Sequence, residues 1–306
     1  MQIDELTFDA WDDFVRESPQ ANAYAMSTFL RCMPCTVKLL RFDFGKGRQI
    51  GALVANPDSE NSCSPYPYTC YQGLFYSNEP ENYISRNNQL AEMLRFIDEK
   101  FHRVSFSLHP SIVDIRAIQW HNYNGETRKF NVDVRYTGVL DLAAVREQGL
   151  CSLMSTNRIM ELKKADKSST IVSQSAEVEK FMRLYQQTFE RQGLDVGDQV
   201  TYIGNIVTAH LHAGKARMYL ASVDSIPVAA CVFINDSRTA YYAFGAQDPD
   251  YRDGGGSTAV FTAAINDYAA EEYAYVDTVG INSPSRGSFK LGFGARPKVY
   301  FNAYLA

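Results

Sequence analysis

The stretch from Tyr251 to Gly294, YRDGGGSTAVFTAAINDYAAEEYAYVDTVGINSPSRGSFKLGFG, constrains this chain more than any other. Gly254, Gly255 and Gly256 follow a strand-like segment and open a helical pattern in which Phe261, Ala264, Ile265 and Tyr268 share one face. A short β-forming segment, AYVDTVG, comes next, and a compact FKLGFG element closes the stretch. A strand that feeds a glycine turn and a helix N-terminus offers unpaired backbone N–H groups and a positive dipole end to an anion. A glycine-rich turn by itself is equally a plain loop. The full order is more specific: strand, glycine loop, helix, strand ending in Asp277, then Phe289-Lys290 and Phe293-Gly294.

The remaining sequence reads as mixed α/β. In the first half, Asp9 is placed to cap a helix carrying Trp11, Phe14 and Val15, and a second helical piece spans Asn22 to Met33. TVKLLRFDF and QIGALVANP form a hairpin about Gly45–Arg48, Pro57 to Pro65 is a polar loop, and YTCYQGLFYS is a strand. Asn87 to Phe101 is an amphipathic helix, RVSFSLHP a strand, Ile112 to Trp120 a short helix, and VDVRYTGVLDL a strand. In the second half a basic helix from Ser152 to Lys167 precedes the strand TIVSQS and two helices, Ala176 to Arg191 and Tyr202 to His212. ARMYLASVD, PVAACVFIN and TAYYAFGAQ then make a meander with turns at Asp224-Ser225 and Asp236-Ser237. Strand alternation sends Tyr242 and Phe244 to one face and Tyr241 to the other.

Composition narrows the function classes. The net charge of -5 argues against DNA and other broad nucleic-acid binding, which draws on Lys and Arg. No apolar run has the length of a membrane span, and the acidic start MQIDELTFDAWDD carries no signal-peptide pattern, so a cytoplasmic location is expected. Cys32-Met-Pro-Cys35 lacks the second ligand pair of a zinc site and the preceding strand of a redox motif. His210 and His212, two apart on a helix, face apart, and no metal motif emerges.

The order of elements, with D-x-x-G at Asp277 to Gly280 and FK-x-x-FG at Phe289 to Gly294, resembles the GNAT (acyl-CoA N-acyltransferase) superfamily. It is most similar to the branch of Fem-type peptidoglycan aminoacyltransferases and FemAB-like acetyltransferases. NRIMELKKA at Asn157 to Ala165 and FMRLYQQTFERQG at Phe181 to Gly193 extend the resemblance over the second half; the first half matches loosely. The resemblance implies two tandem GNAT-like domains, 1–136 and 137–306, without the coiled-coil arm of some Fem enzymes, since no sustained heptads occur.

What it implies for chemistry is transfer of an acyl group from acyl-CoA, such as acetyl-CoA, to an amine on an amino sugar or cell-envelope precursor, with no permanently bound cofactor. The donor pyrophosphate then lies on Arg252, Gly254, Gly255, Gly256 and Ser257, and Tyr242 and Phe244 line the donor channel. Three successive glycines carry an entropic cost that a plain turn does not need. Lys290, preceded by Phe289, matches the family lysine at the acyl-transfer centre, where an ammonium steadies an oxyanion or a departing oxygen; the alternative is a solvated lysine. Asp277 orients the amine or takes its proton, or else caps the following loop. Tyr242 can protonate a leaving thiolate. Arg158 matches an arginine that binds acceptor phosphates, while Lys163, Lys164 and Lys167 read as a solvated face. The family's partner lysine in the first domain has no match, Arg31 being the nearest basic residue. An aminoacyl-tRNA donor, or a non-catalytic binding protein on the same scaffold, are the competing readings.

Overall fold

The computed structural model describes residues 1–56, 61–78, 82–125, 127–190 and 197–306. Part of the expected Pro57–Pro65 loop, and Arg191 and Gly193 of the FMRLYQQTFERQG segment, lie outside the described residues. In chain order the elements are β1 (Gln2–Glu5), α1 (Phe8–Glu17), α2 (Ser27–Leu30), β2 (Thr36–Asp43), β3 (Gln49–Asn56), β4 (Ser62–Cys63) and β5 (Leu74–Tyr76). Then come α3 (Tyr83–Lys100), β6 (Arg103–Ser107), α4 (Arg116–Gln119), β7 (Phe130–Asp141), α5 (Leu142–Gln148), α6 (Leu150–Leu153) and α7 (Thr156–Lys167). The rest are β8 (Ile171–Ser175), α8 (Val178–Glu190), α9 (Gly197–His212), β9 (Ala216–Val223), β10 (Ile226–Asn235), β11 (Thr239–Gln247), α10 (Gly256–Ala270), β12 (Tyr275–Asp277), α11 (Pro284–Leu291) and β13 (Arg296–Leu305). Among the described residues no helix is long and apolar enough to cross a membrane.

The chain divides into two compact units, Met1–Arg135 with Val299–Ala306, and Tyr136–Lys298. The first unit holds an antiparallel sheet in the order β1-β2-β3-β5, and β6 pairs with β4 on one side and with the end of β13 on the other. Its core gathers Phe42, Ile50 and Val54 of the sheet against Leu90, Met93, Leu94 and Ile97 of α3, the face that the sequence periodicity picks out. Some local expectations change. Thr7, not Asp9, caps α1, its hydroxyl accepting from Ala10 N at 3.3 Å, while Asp9 sits in the first turn where the dipole favours it. The Asn22–Met33 helix breaks into a 3-10 turn at Ala23–Ala25 and α2, because Asp12 holds Ser27 by its amide and hydroxyl (2.7 and 2.6 Å) across extended Met26. The long strand expected at YTCYQGLFYS shrinks to β5 because Tyr68 and Tyr71 take φ of 63° and 56°, outside extended backbone.

In the second unit the sheet runs β7-β12-β11-β10-β9-β8, antiparallel except for the β11–β12 pair. The hairpin turn at Asp224-Ser225 has φ of 49° and 66°, the twist-matched geometry of a two-residue loop. At the next turn Asp236 Oδ1 accepts from the amides of Arg238 and Thr239, both at 2.7 Å. Helix α10 covers one face, burying Phe261, Ala264, Ile265 and Tyr268 against Phe233 and Val276. Helix α8 covers the other, with Phe181 and Tyr185 inward. The basic helix expected from Ser152 is split into α6 and α7 at extended Met154, where Ser155 N donates to Gly292 O at 2.8 Å.

Candidate functional site

Two features distinguish β11 in the second unit's sheet. Parallel pairing of β11 with β12 ends at Tyr241↔Asp277, whereas β11 continues to Gln247. Beyond that point β11 has an extra residue, since Phe233 opposes Tyr242 while Val232 opposes Phe244, leaving Ala243 as a bulge. The bulge overturns the alternation expected from sequence. Tyr242 faces α10, stacking edge-on against Phe261 at 4.8 Å, and Phe244 faces α8, meeting Tyr185 at 6.3 Å. Tyr242 and Phe244 therefore do not line one channel wall.

Lys290 lies on α11, which starts with Pro284 at a position where its missing N–H costs nothing. The lysine is only 9% exposed, so it is not a solvated surface residue. Its Nζ donates to the carbonyl oxygens of Val279 and of Gly280, the latter at 2.9 Å, and lies 5.3 Å from the Tyr242 ring centroid. Burial pushes the Tyr242 phenol well above its ordinary value, with a further rise from nearby Cys231, so it stays protonated at neutral pH.

Asp277 closes β12, 5% exposed. Its Oδ1 accepts from Val279 N at 2.8 Å and from Thr137 Oγ1 at 2.5 Å. Thr278 donates to Gly138 O through its amide and its hydroxyl (2.8 and 3.0 Å). The D-x-x-G segment is thus a tightly stitched turn, with Val279 and Gly280 both left-handed at φ 52° and 59°.

Phe289 joins Phe261 and Phe293 in an aromatic cluster, with centroids 5.6 and 5.2 Å from it. The Arg158 guanidinium stacks over Phe289 at 4.7 Å, pairs with Glu161 at 2.7 Å and donates to Thr258 Oγ1 at 3.3 Å. Thr258 in turn donates to the Glu161 carboxylate. This threonine lies in the first turn of α10, so the Glu161 carboxylate sits beside the positive end of that helix. Lys163, Lys164 and Lys167 are exposed, in keeping with a solvated face.

The glycine loop is shaped by packing. Pro249–Gly254 forms a 3-10 turn, tied by Gln247 Nε2 to the carbonyls of Tyr251 and Arg252 at 3.4 and 3.1 Å. Gly255 has φ 80°, and a Cβ there would collide with the Glu161 carbonyl. A Cβ on Gly256 would meet Ala229 at 3.2 Å, whereas one on Gly254 meets nothing within 4 Å. Two of the three glycines thus have a structural cause. Arg252 is exposed and Ser257 half-buried at the helix start.

One contiguous set therefore holds Lys290, the Asp277 turn, Tyr242, Phe289 and Arg158, while Phe244 is turned to the opposite face. Sequence reasoning missed Thr137, Glu161, Thr258 and Val279. Glu161 was detectable as the i+3 ion partner of Arg158. Histidines 210 and 212 do separate, the first buried with Nδ1 2.8 Å from Ile206 O, the second exposed.

Residues 157–290 match the family model described as an acetyltransferase (GNAT) domain. The chain carries a GNAT acyltransferase domain. Over its full length it is similar to the crystal structure of FemX, with a TM-score of 0.71 at 13% identity, covering 100% of this chain and 98% of that one. It is also similar to a tandem GNAT protein from the clavulanic acid biosynthesis pathway, with a TM-score of 0.61 at 12% identity, covering 100% and 98%. A third match is the C-terminal DUF2156 domain of a protein assigned as a lysylphosphatidylglycerol synthetase in Agrobacterium fabrum (TM-score 0.59, 10% identity, coverage 97% and 90%). Comparison with curated proteins gives no match. The fold is the Fem-like arrangement of tandem GNAT-like domains, and the protein is an acyltransferase.

Proposed function

We propose that this acyltransferase moves an acyl group from acyl-CoA to the amine of an amino-sugar or cell-envelope precursor, acting in the cytoplasm. The observation that carries the reading is the Lys290 ammonium, buried beside Tyr242 where β11 parts from β12. Attack of a neutral amine on the thioester carbonyl forms the C–N bond and places negative charge on the carbonyl oxygen. A buried ammonium stabilises that charge more strongly than a solvated one does. Collapse breaks the C–S bond; the departing thiolate takes a proton from Tyr242, and the proton that the attacking nitrogen sheds restores the phenol. The backbone amides at the start of α10, from Gly254 to Ser257, supply donors for the pyrophosphate, with Arg252 at their solvent edge.

One observation favours the second reading, transfer from aminoacyl-tRNA in the manner of the Fem-type enzymes. Glu161 already places a carboxylate at the first turn of α10, where a pyrophosphate would otherwise bind. Arg158, expected to meet acceptor phosphates, is engaged by the same carboxylate.

Calorimetric titration with acetyl-CoA and with coenzyme A separates the two. Gly255 cannot carry the blocking substitution, because any side chain there strains the fold; Gly254→Trp fills open space instead. Saturable binding that Gly254→Trp abolishes supports the coenzyme A donor. Absence of binding to the wild-type protein overturns it and directs the test to aminoacyl-tRNA. With a donor in hand, Lys290→Ala is expected to lower kcat by about 100-fold or more with donor affinity nearly intact, as for loss of one oxyanion donor.

A further inference from the structure

We propose that Asp277 and Thr137 are positioning residues, which act through the left-handed turn at Val279–Gly280 to fix the Lys290 ammonium. The proposal rests on the assignment of Lys290 to the transfer centre.

The argument starts from an unfavourable backbone. Val279 is β-branched yet has φ 52°, a conformation such residues rarely adopt. Strain of this kind persists only where surrounding contacts hold it. Here the benefit is visible. With Gly280 following at φ 59°, the two successive carbonyls both reach the Lys290 Nζ. An extended Val279 would not aim them at one point.

What holds the turn is equally specific. Asp277 Oδ1 receives the Val279 amide and is itself fixed by the Thr137 hydroxyl. Thr278 is bonded twice to Gly138 O, and Ile281 N donates to Tyr136 O at 2.9 Å. Both ends of the turn are therefore sewn to residues 136–138 of β7. Both of the Asp277 bonds, from Val279 and Thr137, fall on Oδ1. The Asp277 contribution that matters is thus an acceptor oxygen at Oδ1, which an amide supplies as well as a carboxylate.

Trace labelling with isotopic acetic anhydride, read by mass spectrometry at Lys290 against exposed Lys163, tests this without donor or acceptor. Lys290 in the wild-type protein labels more slowly than Lys163. Asp277→Asn keeps that protection, whereas Asp277→Ala speeds Lys290 labelling by about fivefold, the weight of one lost hydrogen bond. Labelling of Asp277→Asn as fast as that of Asp277→Ala overturns the proposal, since the charge would then be what holds the lysine. Unchanged labelling in Asp277→Ala overturns it too. Should Asp277→Ala not fold, Thr137→Val decides: faster Lys290 labelling supports the clamp, and wild-type labelling overturns it. Failure to bind acetyl-CoA would sink the donor reading and leave this pattern untouched, so the two failures are distinguishable.

Discussion

Gly254 and Gly255 are neighbours with opposite tolerances. At Gly255 a side chain meets both a positive φ and the Glu161 backbone, which cannot swing away as a flexible side chain could. Gly255→Ala is expected to destabilise the protein by about 2 kcal/mol or more, while Gly254→Ala changes stability by less than about 0.5 kcal/mol. Urea unfolding of the two variants checks this; equal effects would mean that α7 does not press on the loop. A second residue-scale expectation concerns pH. Burial lowers the His210 imidazole from its ordinary 6.5 to about 4. Because the folded value is the depressed one, protonation favours the unfolded chain. The stability it contributes is fully present above pH 6.5 and is lost as pH falls from 6.5 toward 4, by roughly 3 kcal/mol in all. A His210→Leu variant should show a flatter stability profile between those values, and an unchanged profile would assign the acid sensitivity elsewhere.

At the scale of elements, the site depends on how β11 is held on each side. On the α8 side, Thr188 Oγ1 donates toward Leu184 O and Gln247 O at 2.9 and 3.2 Å and accepts from Gln247 N at 3.2 Å. Gln247 then secures the turn that leads into α10. Thr188→Val removes this link while keeping the shape of the side chain, and is expected to cost about 1–2 kcal/mol in thermal or chemical unfolding. Hydrogen exchange should quicken at residues 249–254 rather than along β10. The meander of β9, β10 and β11 was legible because its strands are apolar β-forming runs and its turns carry Asp-Ser pairs. The Ala243 bulge was not, since an alanine satisfies either register and only the pairing with β10 reveals the extra residue. That one residue decides that Tyr242, and not Phe244, stands by Lys290. The FK-x-x-FG element was readable as a motif, but not the αL turn that receives its lysine. Valine gives no local signal for positive φ, and its conformation is imposed by partners far away in sequence.

For the whole molecule, the same non-local logic governs the C-terminal strand, for which the sequence carried no expectation. β13 pairs with β6 from Asn302↔Ser107 to Leu305↔Val104, and Ala303 and Leu305 enter the first unit's core. Leu108 N donates to Phe301 O at 2.9 Å, and Lys129 and Ala306 exchange backbone hydrogen bonds of 3.0 and 3.1 Å. Tyr300 packs edge-on against Tyr71 at 5.5 Å. The last eight residues, 299–306, are thus a structural part of the unit formed by the first 135. Removing them takes away a strand partner and the buried Tyr300, Ala303 and Leu305, of which the leucine alone is worth about 1.5–3 kcal/mol, against a typical domain stability of about 5–15 kcal/mol. A chain ending at Lys298 is expected to lose amide protection throughout β2, β3, β6 and α3. The second unit should keep protection in β9, β10 and α10, because its core draws on none of the removed residues. Hydrogen exchange followed by proteolysis and mass spectrometry resolves the two units peptide by peptide. Protection retained in α3 would mean that β6 and α3 hold the first core without their C-terminal partner. Loss in both units alike would mean that they unfold as one cooperative body.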